Sequence, residues 1–308
     1  MTALTWLVTG GSGFLGRPLL DQLRADRPGD RIVAIGRSIS EAWPTVDFQA
    51  ADLESDDSLA EAVAEIRPDR VVHLAGRTPP ASADQLYRSN VIGTLKLLDA
   101  LRALDRPMRI VLAGSAAELG PVREANLPVG EDAPCHPVGP YGLSKFLATT
   151  AGLAAGPPLE VAVARVFNPI GPGMPVSQAF GRFASALASG TGPIRLPVGD
   201  LEARRDFIDV RDVARGLLAI IERGHCGRVY LVGTGRSRRV GDGLDTLIAL
   251  SGREVTVEAG QAPPSVPADS RADIARIVRE TGWNPAVPWE QSLRDLWDEA
   301  VRQARPRD

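Results

Sequence analysis

A chain of 308 residues that is 44% hydrophobic and 24% charged can bury a large core, which excludes a disordered protein. Its 35 basic and 38 acidic side chains leave a net charge of -3, so electrostatics favours neither nucleic acid nor an anionic membrane as a partner. Two cysteines exclude a disulfide framework and a cysteine-rich zinc site, and we predict no metal centre. No apolar run approaches the ~20 residues that span a bilayer. The amino terminus reads as a buried strand rather than a signal peptide, so we expect a cytoplasmic protein.

Strands and helices alternate along the first half of the chain. The predicted strands are Leu4–Thr9, Arg31–Ile35, Val46–Ala50, Arg70–Leu74, Arg109–Ala113 and Glu160–Val166. The predicted helices are Arg17–Ala25, Ser55–Ile66 with Ser55 as its N-cap, Ala83–Leu104 and Gly139–Ala154. Neighbouring parallel strands need a crossover helix, so this alternation predicts an α/β fold with a Rossmann-type, doubly wound parallel sheet.

The alternation stops after Val166, where Asn168–Pro175 is rich in the residues of turns. We predict a helix over Val210–Glu222 and a strand over Arg228–Val232. A final helix over Val287–Arg302 places four apolar side chains on one face: Trp289, Leu293, Leu296 and Trp297. The second half therefore predicts a smaller α+β substrate-binding cap. The expected division assigns residues 1–166 and 206–232 to the dinucleotide-binding domain, and residues 167–205 and 233–308 to the cap.

Gly10, Gly13 and Gly16 lie between the first strand and the first helix, in the spacing G-x-x-G-x-x-G. Glycine permits a tight turn and a close backbone approach to a pyrophosphate, and the helix N-terminus supplies oriented N–H groups. An ordinary strand–helix turn would give the same glycines. The β/α alternations that follow favour dinucleotide binding.

The end of the second strand distinguishes the two nicotinamide dinucleotides. An acidic residue there would bind a ribose 2′-hydroxyl, but the strand runs into Arg37 and Ser38, which suit a 2′-phosphate. We therefore predict NADP(H) rather than NAD(H), with a solvated Arg37 as the alternative. Asp52 and Leu53 are placed for the adenine edge, and Leu74, Ala75 and Gly76 for the cofactor backbone.

Tyr141 and Lys145 form a Y-x-x-x-K pattern, which places a phenol and an ammonium on one helix face. A nearby cation is expected to lower the pKa of the phenol and prepare it for proton transfer. Ser115, at the end of the fifth strand, completes a catalytic set by hydrogen-bonding the same substrate oxygen. An unrelated surface Tyr and Lys is the alternative interpretation of the pattern.

With these motifs the chain resembles the extended short-chain dehydrogenase/reductases, the NAD-dependent epimerase/dehydratase family, that act on nucleotide sugars. The segments Gly114–Gly120 and Val198–Phe207 look most like those of GDP-4-keto-6-deoxy-D-mannose reductases. The resemblance implies that Tyr141 is the acid/base, that Lys145 is its partner and that Ser115 orients the substrate C4 oxygen. It places Asn168 and Arg205 at the sugar and diphosphate, with Glu118 near the same pocket. The cofactor contacts expected in total are Gly10, Gly13, Phe14, Leu15, Gly16, Arg37, Ser38, Asp52, Leu53, Leu74, Ala75, Gly76, Asn90, Tyr141, Lys145 and Phe167, with Asn90 also in a structural role.

The residues after Ser115 indicate the reaction type. A 4,6-dehydratase of this family needs an acid and a carboxylate at the positions that Ala116 and Ala117 occupy, and Glu118 comes one position too late. What remains is hydride and proton transfer at one carbon. We predict an NADP-dependent reductase of the C4 ketone of a nucleotide-linked 4-keto-6-deoxy sugar. An NAD-dependent C4 epimerase is the first alternative, and a non-catalytic NADP-sensing module is the second.

Other features limit or extend this interpretation. The family's diphosphate-clamping arginine is missing near Pro263–Asp269, where Arg271 is the candidate substitute, and Leu119 replaces the usual tyrosine. Cys135 and the adjacent histidine are interpreted as incidental loop residues, and His73 as a buried core histidine. The resemblance further implies a homodimer that pairs the helices Ala83–Leu104 and Gly139–Ala154 of two subunits.

Overall fold

The computed structural model describes residues 3–38, 46–190, 192–259 and 269–305, and its first half folds as the alternation predicts. The strands of this half are β1 (Thr5–Thr9), β2 (Arg31–Gly36), β3 (Asp47–Ala50), β4 (Arg70–His73), β5 (Met108–Ser115) and β6 (Leu159–Val166). The helices are α1 (Gly16–Asp26), α2 (Asp56–Ile66), α3 (Ala83–Leu86), α4 (Gly93–Arg102) and α5 (Gly139–Leu153), with 3-10 turns at Ala116–Glu118 and Glu124–Asn126. The predicted bounds agree to within a few residues, although the Ser55 side chain makes no capping hydrogen bond.

The long helix predicted over Ala83–Leu104 is interrupted. Helix α3 passes into a π-helical turn over Tyr87–Ile92, and α4 continues from it. Ser82 caps α3 through a reciprocal pair of hydrogen bonds with Gln85. Asn90 is one of the residues of this π turn, and its side chain is buried.

The second half contains shorter elements. Its strands are β7 (Asn168–Ile170), β8 (Ile194–Val198), β9 (Arg204–Asp209), β10 (Val229–Val232), β11 (Ser237–Arg239) and β12 (Val255–Ala259). Its helices are α6 (Ala179–Ser189), α7 (Val210–Arg223), α8 (Val240–Ser251), α9 (Ala275–Thr281) and α10 (Trp289–Ala304). The elements predicted at 210–222, 228–232 and 287–302 are therefore confirmed, whereas α6 and α8 were not predicted.

The central sheet has seven parallel strands in the order β10-β6-β5-β4-β1-β2-β3. Apolar side chains cover both of its faces, because each crossover places a helix on one face or the other. Helices α1 and α7 pack on one face, and α2 and α4 pack on the opposite face. This arrangement confirms the Rossmann-type, doubly wound sheet.

The cap has its own apolar core, formed mainly by α6, α8 and α10. Leu293 and Leu296 of α10 are buried in it, and Trp289 and Trp297 pack against it, so the predicted apolar face of the final helix is confirmed. Two small sheets, β11-β9-β7 and β12-β8, belong to this half.

The boundary between the two halves differs in detail from the sequence-based division. Helix α9 follows the cap along the chain, yet Ile277 packs in the core of the central sheet. Trp283 packs there too, and its indole Nε1 donates to the carbonyl of Asp212. The segment from α9 to Trp283 therefore accompanies the sheet, and the remainder of the proposed division stays a prediction.

Three buried aspartates in the β9–α7 segment tie the last part of the chain to the sheet. The Asp206 carboxylate accepts hydrogen bonds from the backbone N–H groups of Thr234, Gly235 and Ala272. Asp209 accepts a bond of 2.7 Å from Ser292 of α10. Because a buried carboxylate is costly unless it is hydrogen-bonded, each aspartate fixes its partner segment in place.

Asp212 gives a test of this arrangement. Its carboxylate accepts the N–H groups of Ala286 and Val287 and pairs with Arg215. We expect Asp212→Ala to lower the free energy of unfolding by about 3 kcal/mol, because it leaves buried donors unpaired. Urea unfolding measures the change, with Asp245→Ala on the exposed side of α8 as the control. A loss no larger than that of the control would show that these bonds do not hold the cap segment.

Candidate active site

A cleft of ≈ 860 Å³ opens at the carboxyl ends of the central strands. The glycine turn after β1, the end of β5 and the first turn of α5 line its sheet side. Parallel α/β sheets present their ligand sites at this edge, where the strand order reverses. The lining residues predicted for cofactor binding are Gly10, Gly13, Phe14, Leu15, Gly16, Leu74, Gly76, Tyr141 and Phe167.

The glycine turn has no room for side chains. Gly10 has φ +68°, and a Cβ there would lie 2.6 Å from the backbone nitrogen of Ala75. A Cβ at Gly16 would lie 2.3 Å from the carbonyl oxygen of Gly10. No side chain caps the N-terminus of α1, which begins at Gly16. This bare backbone cradle at a helix N-terminus fits a dinucleotide pyrophosphate.

The segment after β2 carries a cation and a hydroxyl. Arg37 and Ser38 follow the end of the strand at Gly36, and both are exposed. Asp52 follows β3, and its Oδ1 accepts the N–H of Glu54 within a local turn. Residues 36–38 contain no carboxylate. The placement of these residues at the same sheet edge as the glycine turn is compatible with their predicted contacts.

Ser115 and Tyr141 meet at the centre of the cleft. Ser115 ends β5, and its Oγ accepts the N–H of Ala117 at 3.2 Å. Tyr141 of α5 lines the same cleft, where the Ser115 side chain acts to lower the pKa of its phenol. Helix α5 approaches this turn closely because residue 142 is glycine: a Cβ there would lie 2.6 Å from the Ala117 carbonyl oxygen. The predicted serine–tyrosine pair is therefore assembled by one close helix–turn contact.

The expected effect of Lys145 on the phenol differs from the sequence prediction. Burial raises the pKa of Tyr141, and the Ser115 side chain opposes this rise only in part. The Lys145 ammonium instead donates to the carbonyl oxygen of Ala113, and burial lowers the pKa of this lysine. The prediction that Lys145 lowers the pKa of the phenol was wrong. Burial raises the pKa of Tyr141 by more than the Ser115 side chain lowers it.

Asn90 supports the site from below. Its side-chain nitrogen donates to Ser144 Oγ at 2.9 Å and to the Arg77 carbonyl, while its oxygen accepts the Arg77 N–H. Ser144 in turn donates to the carbonyl of Tyr141. Asn90 is buried to 1% exposure, which fits its predicted structural role, and its contact with the cofactor stays a prediction.

His73 occupies the buried end of β4. Its imidazole bridges Thr9 Oγ1 at 2.6 Å and Thr94 Oγ1 at 3.0 Å. Burial lowers the pKa of this histidine to about 3, so the ring is neutral at physiological pH. Its interpretation as a satisfied core histidine is confirmed.

The prediction that Glu118 contacts substrate was wrong. Its side chain is fully buried behind the 3-10 turn and is absent from the cleft wall. The carboxylate forms an ion pair with Arg165 of β6, at 2.9 Å from Nη2. A pattern of short range cannot reveal this partner, which lies 47 residues further along the chain.

Further polar side chains line the cap side of the same cleft. Asn168 begins β7 and donates to the Asp206 carbonyl, and Arg205 of β9 lines the cleft, where burial lowers the pKa of its guanidinium. Arg271 pairs with Asp269 at 3.1 Å and is not among the lining residues. Sequence reasoning missed Arg182, an exposed cation of α6 on the cleft wall. The spacing of Phe180, Phe183, Ala184 and Leu187 carried the signal for that helix.

Metal-ligand groups and membrane-spanning helices are the next features to consider. Within the described ranges, no group of at least three His, Cys, Asp or Glu side chains is arranged to hold a metal ion. In the same part of the chain, no helix has the length and apolar character needed to cross a membrane.

Comparison with known proteins identifies the relatives of this chain. It is 34% identical to the GDP-6-deoxy-D-mannose reductase of Pseudomonas aeruginosa, over 96% of this chain and 98% of that protein. It is 31% identical to a UDP-glucose 4-epimerase of Azospirillum brasilense, over 97% and 94% of the two chains. The solved structure of RMD from Pseudomonas aeruginosa complexed with NADPH superposes with a TM-score of 0.85 at 31% identity, covering 98% of both chains. A family model matches residues 6–233, and the chain therefore belongs to the NAD dependent epimerase/dehydratase family.

Proposed function

We propose that this protein is an NADPH-dependent reductase of the C4 ketone of a nucleotide-linked 4-keto-6-deoxy sugar, with GDP as the nucleotide. The observation that carries the proposal is that Ser115 and Tyr141 line one cleft, next to a turn that holds alanine at 116 and 117. The similarity to a GDP-6-deoxy-D-mannose reductase over nearly the whole chain supports it.

The residues of the cleft account for the proton in this reaction. Bound NADPH supplies the hydride for the carbonyl carbon. Because burial raises the pKa of Tyr141, the phenol is protonated at neutral pH and can donate its proton to the C4 oxygen. Ser115 stabilises that oxygen as it gains negative charge, and the ammonium of Lys145 lies one helical turn from the phenol. Hydride and proton together convert the ketone into an alcohol.

The same geometry disfavours elimination chemistry. A dehydratase must protonate a leaving hydroxyl and remove a carbon-bound proton, and Ala116 and Ala117 offer no titratable group to do so. The carboxylate that follows these alanines, Glu118, does not line the cleft and is paired with Arg165. The C4 epimerase remains the second candidate, because the same serine, tyrosine and lysine can serve a transient oxidation and the chain is also similar to a UDP-glucose 4-epimerase.

Tyr141→Phe tests the proposed acid. Removing the phenolic proton while keeping the ring is expected to lower kcat by about 10²–10⁴-fold, the usual effect of losing a general acid. The assay is NADPH consumption with GDP-4-keto-6-deoxymannose, and Tyr87→Phe, outside the cleft wall, is the matched control. Wild-type protein that carries tightly bound NAD⁺ and interconverts C4 epimers without consuming NADPH would establish the epimerase instead.

Arg37 supports the proposed preference for NADP(H). Arg37 and Ser38 follow β2 at the edge where the adenine ribose of the cofactor is expected. Both residues are exposed. A planar cation pairs well with a 2′-phosphate, whereas a carboxylate suited to a 2′-hydroxyl is missing from 36–38.

Replacing Arg37 by alanine is expected to raise the KM for NADPH about tenfold, which corresponds to the loss of one charge-assisted hydrogen bond. The KM for NADH should stay within about twofold, because NADH lacks the 2′-phosphate. Steady-state kinetics with both cofactors measures the two values. An equal rise for both cofactors would contradict a contact with the 2′-phosphate.

A homodimer is proposed from the apolar side chains on the outer helices. Ile92 and Leu95 are exposed to 45% and 39%, and Leu143 and Leu147 of α5 to 37% and 39%. Each pair is spaced by one helical turn, and α4 packs beside α5, so the four side chains form a continuous apolar surface. Two copies of this surface would form a four-helix interface. The expected residence in the cytoplasm stays a prediction.

Leu147→Glu is expected to convert the dimer into a monomer, because it places a charge in the centre of this apolar surface. Size-exclusion chromatography with light scattering measures the mass. Glu160→Gln, an exposed substitution on β6, serves as the control. A wild-type protein that elutes as a monomer would overturn the proposed assembly.

A further inference from the structure

The buried carboxylate of Glu118 has no part in the mechanism described so far. It closes the 3-10 turn Ala116–Glu118 that follows β5, and its side chain is fully buried. Burying a carboxylate is unfavourable unless charged and polar partners compensate it. The partners of the Glu118 carboxylate include the backbone N–H of the proposed catalytic serine, Ser115.

The two carboxylate oxygens of Glu118 accept hydrogen bonds from different partners. Oε1 accepts the backbone N–H of Ser115 at 2.7 Å and the hydroxyl of Thr149 at 3.1 Å. Oε2 accepts both Nε and Nη2 of Arg165, at 3.1 and 2.9 Å. One carboxylate therefore joins the end of β5, the last turns of α5 and strand β6 immediately behind Ser115.

The backbone is shaped to admit this carboxylate. Residue 114 is glycine, and a Cβ there would lie 2.6 Å from Glu118 Oε1. In the β5–β6 register, Gly114 pairs with Arg165, so the missing side chain leaves the space in which the ion pair forms. The side chain of Ser115 is fixed in the same unit, because its Oγ accepts the N–H of Ala117.

The charge of Glu118 also acts on the proton donor. Its negative charge raises the pKa of Tyr141 and opposes the fall in the pKa of Lys145 that burial causes. Both effects favour the protonated phenol and the protonated ammonium. The carboxylate is thus close enough to influence the reacting groups without entering the cleft.

We propose that Glu118, held by Arg165, is a positioning residue that fixes Ser115 against the substrate oxygen and places its negative charge behind the Tyr141 phenol. This role rests on the proposed reductase function. It differs from a substrate contact, because the carboxylate bonds to Ser115, Thr149 and Arg165 of the protein itself.

Glu118→Gln tests the proposal. The amide keeps the size of the side chain but removes its charge, and its NH2 group replaces an acceptor oxygen opposite either Arg165 or the Ser115 N–H. We expect kcat for NADPH-dependent reduction to fall about 10-fold to 100-fold through misplacement of Ser115. The Kd for NADPH should change by less than about twofold, since the glycine turn is not part of this unit. Removing the negative charge should also lower the pKa of the phenol, so that activity is lost at lower pH on the alkaline side.

A second readout does not depend on turnover. Ultraviolet difference titration of Glu118→Gln against Glu118→Gln/Tyr141→Phe isolates the ionisation of Tyr141, which should occur at lower pH than in wild type. If wild-type protein reduces no keto-sugar, the proposed function fails, while this titration still tests the placement of the charge. Glu160→Gln makes the same change at an exposed carboxylate and should alter neither readout.

The double variant Glu118→Met/Arg165→Met covers the case in which the single variant does not fold. It replaces the ion pair by apolar side chains of similar size, a change that buried ion pairs often tolerate. The same loss of kcat is expected, because Ser115 loses the acceptor that holds its N–H, whereas the Tyr141 titration should shift less than in Glu118→Gln because the charge of Arg165 is removed as well. A kcat within about twofold of wild type in the folded variant overturns the proposal.

Discussion

The close approach of α5 to the turn after β5 is the contact on which the candidate active site depends. Gly142 lets the first turn of the helix approach the Ala117 carbonyl, and Tyr141 beside it thereby reaches Ser115. A parallel sheet delivers the ends of its strands to one edge, but it does not by itself place a phenol next to a serine. The glycine at 142 supplies that last condition.

Behind this contact, buried polar groups hold the geometry. Asn90 links the segment after β4 to α5 through Ser144, and Glu118 links β5 to α5 and β6. Such groups are favourable only when all their bonds are made together, so a displaced element would leave donors or charges without partners. The groups that face the cleft are therefore held by a rigid layer rather than by flexible side chains.

The sequence predicted the parts of the molecule that local patterns encode. The spacing of apolar residues and the positions of turn residues predicted the order of strands and helices along the chain. Gly10, Gly13 and Gly16 predicted the pyrophosphate-binding turn, because only glycine fits such close backbone contacts. Tyr141 and Lys145 share one helix, so their spacing alone predicted a common face. Helix α6 was not predicted, because glycine-rich turn segments flank it. The helical spacing of its apolar residues was nevertheless present in the sequence.

What the sequence could not predict depends on contacts between distant segments. Glu118 was assigned to the substrate pocket because its partner Arg165 lies in the next strand of the sheet and not in the same motif. The rise in the pKa of Tyr141 arises from burial, which only the packed structure reveals. The same holds for Ile277 and Trp283, which return from the cap half to the core of the central sheet.

The reductase function requires that the hydride is added to one sugar carbon, C4, and the proton to the oxygen of that carbon. Incubation with GDP-4-keto-6-deoxymannose and NADPH deuterated at the transferring carbon, followed by NMR of the sugar product, tests it most directly. The account predicts one deuterium at C4, none at C3 or C5, and one oxidised cofactor per alcohol formed. Deuterium that stays with the cofactor while the sugar is converted, or exchange at C3 or C5, would contradict it.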